Sequence, residues 1–160
     1  MIRDDKKRNY TPAGYQALLD ELEEQKAKQE QNKKDISTAR SFGDLSENSE
    51  YDEAKNEQGR IAARIAELED MIAHAVVIDE SQVDASVVGV GSFVRVRIEE
   101  TGKVKQYHIV GSFESDPLNG QISDVSPIGS ALMGNSANAV VEVTLPSGKV
   151  QHITILEVSR

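Results

Sequence analysis

The sequence contains no cysteine, which excludes disulfide scaffolds, thiolate metal clusters and cysteine nucleophiles and suits a reducing cytoplasm. Long apolar runs are also missing. Segments such as Ala75 to Ile78 fall far below the ~20 residues of a membrane span, and residues 1–10 are charged where a secretory leader is apolar. A cytoplasmic chain without membrane association is therefore expected. Positive charge is scarce: 18 Lys and Arg stand against 27 Asp and Glu, for a net charge of −9. Affinity for free nucleic acid depends on clustered cations that release counterions, so any nucleic-acid contact should be local. No P-loop, dinucleotide-binding glycine motif or nucleophilic triad is present, since Gly89-Val90-Gly91 is too short a match and no phosphate-binding helix follows it. His74, His108 and His152 share no metal-ligand spacing. Nothing here points to a self-sufficient enzyme.

What is present divides the 160 residues in two. Between residues 11 and 78 the one proline is Pro12, whereas residues 89–148 carry eight of the eleven glycines and three of the four prolines, the punctuation of turns between strands. The composition places a boundary near residues 79–86, with domains at 1–80 and 81–160.

The first half carries a heptad seam twice. Tyr15, Leu18, Leu22, Gln25, Gln29, Asn32, Ile36 and Ala39 follow steps of three and four, as do Tyr51, Ala54, Gln58, Ile61, Ile65, Leu68, Ile72 and Ala75. Thr11 before Pro12 reads as an N-cap and first helical residue, and the only break is at residues 41–46. A break that short predicts an antiparallel two-helix coiled coil. Folding the seam about its midpoint sets Leu22 opposite Leu68, Gln29 opposite Ile61 and Asn32 opposite Gln58. The second half predicts strands at 93–98, 104–110, 139–145 and 150–156, with a short helix over 127–134, making an antiparallel sheet domain. The fold class is α+β.

The tip of the coiled coil, residues 41–51, holds the candidate chemistry. Asp44 and Glu47 have capping-box spacing at a helix N-terminus. The same two carboxylates also suit half of a Mg²⁺ site, an ion that takes oxygen ligands and is often shared between a protein and substrate phosphates. Two acids alone hold Mg²⁺ weakly, so the other ligands would come from a partner. Phe42 is expected to fold back as an apolar plug under the turn in preference to forming an exposed stacking surface. Lys26, Lys33 and Arg40 recur every seven residues, with Lys34, Lys55, Arg60 and Arg64 towards the tip. They suit either a solvated face of ion pairs or a local track for RNA phosphates, for which Arg40 and Lys55 are the candidates.

The run Gly43-Asp44-Leu45-Ser46-Glu47-Asn48-Ser49-Glu50-Tyr51, followed by Glu53, Ala54 and Lys55, resembles the coiled-coil tip of the Gre family of bacterial transcript cleavage factors, the GreA type in particular. The likeness extends to Thr11, Pro12, Gly14 and Tyr15, and to Ile122, Ser123, Ser126, Pro127, Ile128, Gly129, Ala131, Leu132 and Gly134. The resemblance implies an FK506-binding-protein-like C-terminal domain that docks on RNA polymerase at the secondary channel, with the hairpin reaching the nascent RNA 3′ end. It implies that Asp44 and Glu47 act as the catalytic and metal-holding pair, sharing Mg²⁺ with the polymerase, whose own cleavage activity is stimulated in backtracked complexes. Leu45 between the acids is similar to the GreA type, which implies short cleavage products. Residues 135–139 depart from the family pattern, where a lysine and a Gly-Asp turn are usual, and this bears on docking and not on the tip. A channel-binding inhibitor of the same shape is the alternative, and a coiled coil unrelated to transcription, with the two acids as caps only, is a third reading.

Overall fold

The computed structural model describes residues 6–42 and 48–160. The chain forms two compact units, one of residues 16–74 and one that combines residues 1–15 with 75–160.

The first unit is the helical hairpin. Helix α1 (Pro12–Arg40) and helix α2 (Ser49–Ala73) follow a three-residue strand, β1 (Arg8–Tyr10). Helix α1 starts where the sequence predicts, because the Thr11 side chain accepts from the Gly14 amide at 3.1 Å, an N-cap that satisfies one of the otherwise unpaired amides of the first turn. The seam is as the heptads require. Leu18, Asn32, Ile36 and Ala39 of α1 and Ile61 and Leu68 of α2 are buried, and the seam positions Leu22, Gln25, Gln29, Ala54, Gln58, Ile65 and Ile72 are half-buried. At ~1.5 Å per residue the 29 residues of α1 extend about 43 Å.

One predicted seam pair is corrected. The Asn32 amide, only 4% exposed, donates at 3.0 Å to the backbone carbonyl of Ala54 and not to Gln58, whose side chain instead accepts from Lys55 at 2.9 Å. A main-chain carbonyl of the facing helix has a fixed place in the seam, whereas the longer Gln58 side chain reaches its own helix surface. Across the outer face, Arg64 grips Glu21 with two hydrogen bonds of 2.6 and 2.8 Å.

The second unit is built on a mixed sheet. After β2 (Ala75–Val77), which pairs in parallel with β1, come β3 (Phe93–Ile98), β4 (Val104–Val110), β5 (Gln121–Ser123), helix α3 (Pro127–Leu132), β6 (Val140–Thr144) and β7 (Val150–Ser159). The five-stranded sheet has the order β5-β4-β3-β7-β6. The expectation of a wholly antiparallel sheet is corrected at β5, which lies parallel to β4. The intervening residues 111–120 form a crossover instead of a hairpin turn, which brings the chain back to run in the same direction. Strand β3 alternates strictly, with Val94, Val96 and Ile98 buried and Phe93, Arg95 and Arg97 exposed. Val94 and Val96 join Val88, Tyr107, Ile109, Ile122, Leu132, Val143, Ile153 and Ile155 in an apolar core. Helix α3 is capped by Ser126, which accepts from the Gly129 amide at 3.1 Å, and closes with Asn135, whose side-chain amide donates to the Ala131 carbonyl at 3.0 Å. The 135–139 turn is therefore well anchored, and Asn138 takes a left-handed φ of 74° that asparagine tolerates better than most residues.

Candidate functional site

Among the described residues, Asn48 ties the ends of the two helices together. Asn48 accepts from the Tyr51 amide at 3.0 Å and so caps α2, while its own amide donates to the Ala39 carbonyl at the end of α1 at 2.6 Å. An asparagine carries both a donor and an acceptor, so a single residue bonds backbone groups at both helix ends. Glu50 and Asp52 lie in the first turn of α2, where the helix dipole favours negative charge.

The N-cap of α2 is Asn48, not Asp44, so the capping-box assignment of Asp44 and Glu47 is corrected. Both acids themselves lie outside the described residues. Among the described residues no group of three or more acidic or histidine side chains forms a metal cluster.

Around the tip, the Arg40 guanidinium lies over the Tyr51 ring, 5.7 Å from its centroid, and its Nη2 donates to the phenol oxygen at 3.5 Å. That hydrogen bond, with the nearby positive charge, lowers the Tyr51 phenol below its ordinary value. Phe42 does not plug the turn: it is 68% exposed, which corrects the expectation. Among the described residues, Ile36 and Ala39 are buried at this end of the seam without the ring, and Asn48 bonds across it. Lys55 is exposed and binds Gln58. The two RNA-contact candidates thus differ in setting. Arg40 is oriented by an aromatic ring at the tip, and Lys55 sits one turn further along α2.

The rest of the basic flank reads as a solvated, salt-bridged face. Lys33 pairs with Glu30 at 2.9 Å, Arg60 with Glu57 at 2.6 Å and Arg64 with Glu21 at 2.6 Å, while Lys26 reaches Glu69 at 4.0 Å. Such pairs orient charge without requiring a ligand. The histidines are occupied locally: His74 contacts Asp70, His108 stacks on Phe93 with ring centroids 4.1 Å apart, and His152 pairs with Glu100 at 2.8 Å.

Sequence reasoning missed two positioning residues. Asn48 lies within the tip run, and its donor–acceptor role shows only once both helix ends are placed. Glu114 was invisible for a different reason. It accepts from the Thr11 amide at 2.9 Å, from the Thr11 hydroxyl at 2.5 Å and from the Gly111 amide at 3.2 Å. It thus places an anion at the start of α1 from a loop 103 residues away in sequence.

The fold and tip define a two-domain α+β factor whose antiparallel helical hairpin is closed by a polar, cation-bearing end and whose other unit is a small mixed-sheet domain. Two family models match, described as transcription elongation factor, N-terminal, over residues 9–77 and as transcription elongation factor, GreA/GreB, C-terminal, over residues 83–160. The chain belongs to the GreA/GreB family of transcription elongation factors. It is 50% identical over 151 residues to transcription elongation factor GreA of Clostridioides difficile strain 630, covering 94% of each chain. It is 47% identical over 156 residues to GreA of Clostridium botulinum strain Langeland, covering 97% of each. Among solved structures it is similar to the GreA factor homolog Gfh1 of Thermus thermophilus, at 29% identity with a TM-score of 0.44 over 96% of this chain and 99% of that one.

Proposed function

We propose that this elongation factor binds RNA polymerase through its secondary channel and stimulates the polymerase's own cleavage of the nascent RNA 3′ end in backtracked complexes, without being a catalyst by itself. The observation that carries this is the capping of α2 by Asn48. The α2 cap is thereby supplied by a residue other than Asp44 and Glu47, the two acids in the sequence between the two helices.

The donor set suits a hard cation, because carboxylate oxygens are what Mg²⁺ takes. Bound between these residues and the polymerase, Mg²⁺ would supply charge stabilisation at the attacking and leaving oxygens of the phosphodiester. Asp44 and Glu47 would hold the shared ion and orient the attacking water. Arg40 would meet the RNA phosphate with a guanidinium already aligned by Tyr51, with Lys55 a weaker contact one turn along. The Asn48 clamp would keep the two helix ends from fraying when the tip is loaded. Supporting this reading are the family membership, the acidic pair in the connection and the narrow hairpin that carries it.

The test is a backtracked elongation complex with labelled RNA. Asp44→Ala with Glu47→Ala is expected to abolish stimulated cleavage while binding to polymerase persists. Undiminished cleavage by the double variant would remove the site assignment, and inhibition of nucleotide addition without cleavage by the wild-type protein would mark a channel-blocking factor instead.

A further inference from the structure

We propose that Phe42 is a base-stacking residue, whose ring packs on the face of an unpaired nucleobase of the extruded RNA 3′ segment while the phosphate faces Arg40. The RNA itself is supplied by the cleavage-factor reading above, on which this assignment rests. The ring is 68% exposed, and its amide donates to the Ala39 carbonyl at 3.2 Å, which turns the chain out of α1.

A single exposed phenylalanine ordinarily needs no explanation. Here three observations bear on it together. Among the described residues the seam end is buried without it, Ile36 and Ala39 being 9% and 4% exposed, and Asn48 spans the two helix ends. Two residues earlier in the chain, Arg40 is held over the Tyr51 ring. Two residues later in the sequence stands Asp44, the first of the two acids. An aromatic face two residues from an oriented guanidinium is the combination that grips single-stranded nucleic acid without sequence preference, the ring taking a base and the cation its phosphate. An apolar protein recess would call for bulk alone and would accept a leucine as readily.

Stacking on a base is expected to show as a loss of roughly 5- to 100-fold in cleavage efficiency when the ring is removed. In a complex backtracked by two nucleotides, Phe42→Ala and Phe42→Leu should both lower kcat/KM by that factor, Phe42→Trp should retain wild-type efficiency, and an abasic 3′ nucleotide should reduce the wild type to the level of Phe42→Ala. A direct readout uses 2-aminopurine as the extruded base in the Asp44→Asn, Glu47→Gln background, where the RNA stays intact. Fluorescence should be quenched with Phe42 or Phe42→Trp and not with Phe42→Leu. Circular dichroism should show unchanged folding, because the ring is exposed. Wild-type behaviour of Phe42→Leu in both assays would overturn stacking and point to an apolar protein contact or none. Loss of cleavage in the acidic variants alongside an indifferent Phe42 would sink this assignment alone, whereas cleavage indifferent to the acids would sink the site assignment of Asp44 and Glu47, with the quench still reporting on Phe42.

Discussion

Asn48 concentrates the hairpin's closure in one amide group, with its oxygen on the Tyr51 amide and its nitrogen on the Ala39 carbonyl. Removing it with Asn48→Ala takes the side-chain acceptor from the Tyr51 amide and leaves the Ala39 carbonyl with only the Phe42 amide, and should cost about 1 kcal/mol, the usual effect of losing an N-cap. Native-state hydrogen exchange should then show the Tyr51 amide losing protection while the amide of Leu68, deep in the seam, changes little. At this scale legibility follows sequence distance. Thr11 can be identified as a cap because Pro12 is its neighbour, but its second partner, Glu114, acts across 103 residues, and nothing local marks that carboxylate. Phe42 departs from expectation because an apolar side chain at a turn suggests burial, whereas Ile36 and Ala39 are buried at this end of the seam without it.

For the helices, the three-and-four spacing carries nearly all the information, because a two-helix seam has one buried stripe and each residue in it is set by period alone. Gly59 lies on the exposed side of α2, and a methyl group added there would meet nothing within 4 Å, so Gly59→Ala should stabilise the hairpin by roughly 0.5–1 kcal/mol through helix propensity, read as a raised midpoint in thermal unfolding. The Glu21–Arg64 fork predicts an acid dependence. The Arg64 guanidinium holds the Glu21 carboxyl below its ordinary value of 4.5, so the unfolded chain takes up the proton first. The pair's contribution is complete above about pH 4.5 and is lost as pH falls through the lower folded value. Both side chains are about one-third exposed, so the effect is modest. Thermal melts at pH 6 and pH 3 should differ less in Glu21→Gln than in the wild type. Strand β5 escapes detection because three residues, Gln121–Ser123, are too few to show alternation, and its parallel pairing depends on a crossover with no signature of its own.

For the whole chain, charge and composition bound function more tightly than they bound structure. A net charge of −9, with most of the basic flank already paired to acids, predicts no measurable binding to free RNA at physiological salt. An electrophoretic mobility assay should show no shift at micromolar protein. Any RNA contact then depends on the polymerase to bring the strand to the tip. The division into a heptad half and a glycine- and proline-rich half anticipates the two kinds of architecture. It does not anticipate that residues 1–15 join the sheet-bearing unit, since the β1–β2 pairing links segments that precede and follow the hairpin in sequence. The central claim is that two tip carboxylates complete a Mg²⁺ site that polymerase half provides. It is tested most directly by titrating Mg²⁺ against RNA cleavage in a backtracked complex saturated with factor, comparing the wild type with the isosteric Asp44→Asn, Glu47→Gln variant. The account predicts that the variant binds polymerase equally well and leaves cleavage at the factor-free rate across the titration. A variant that stimulates cleavage as the wild type does, at the same Mg²⁺ concentration, would contradict it.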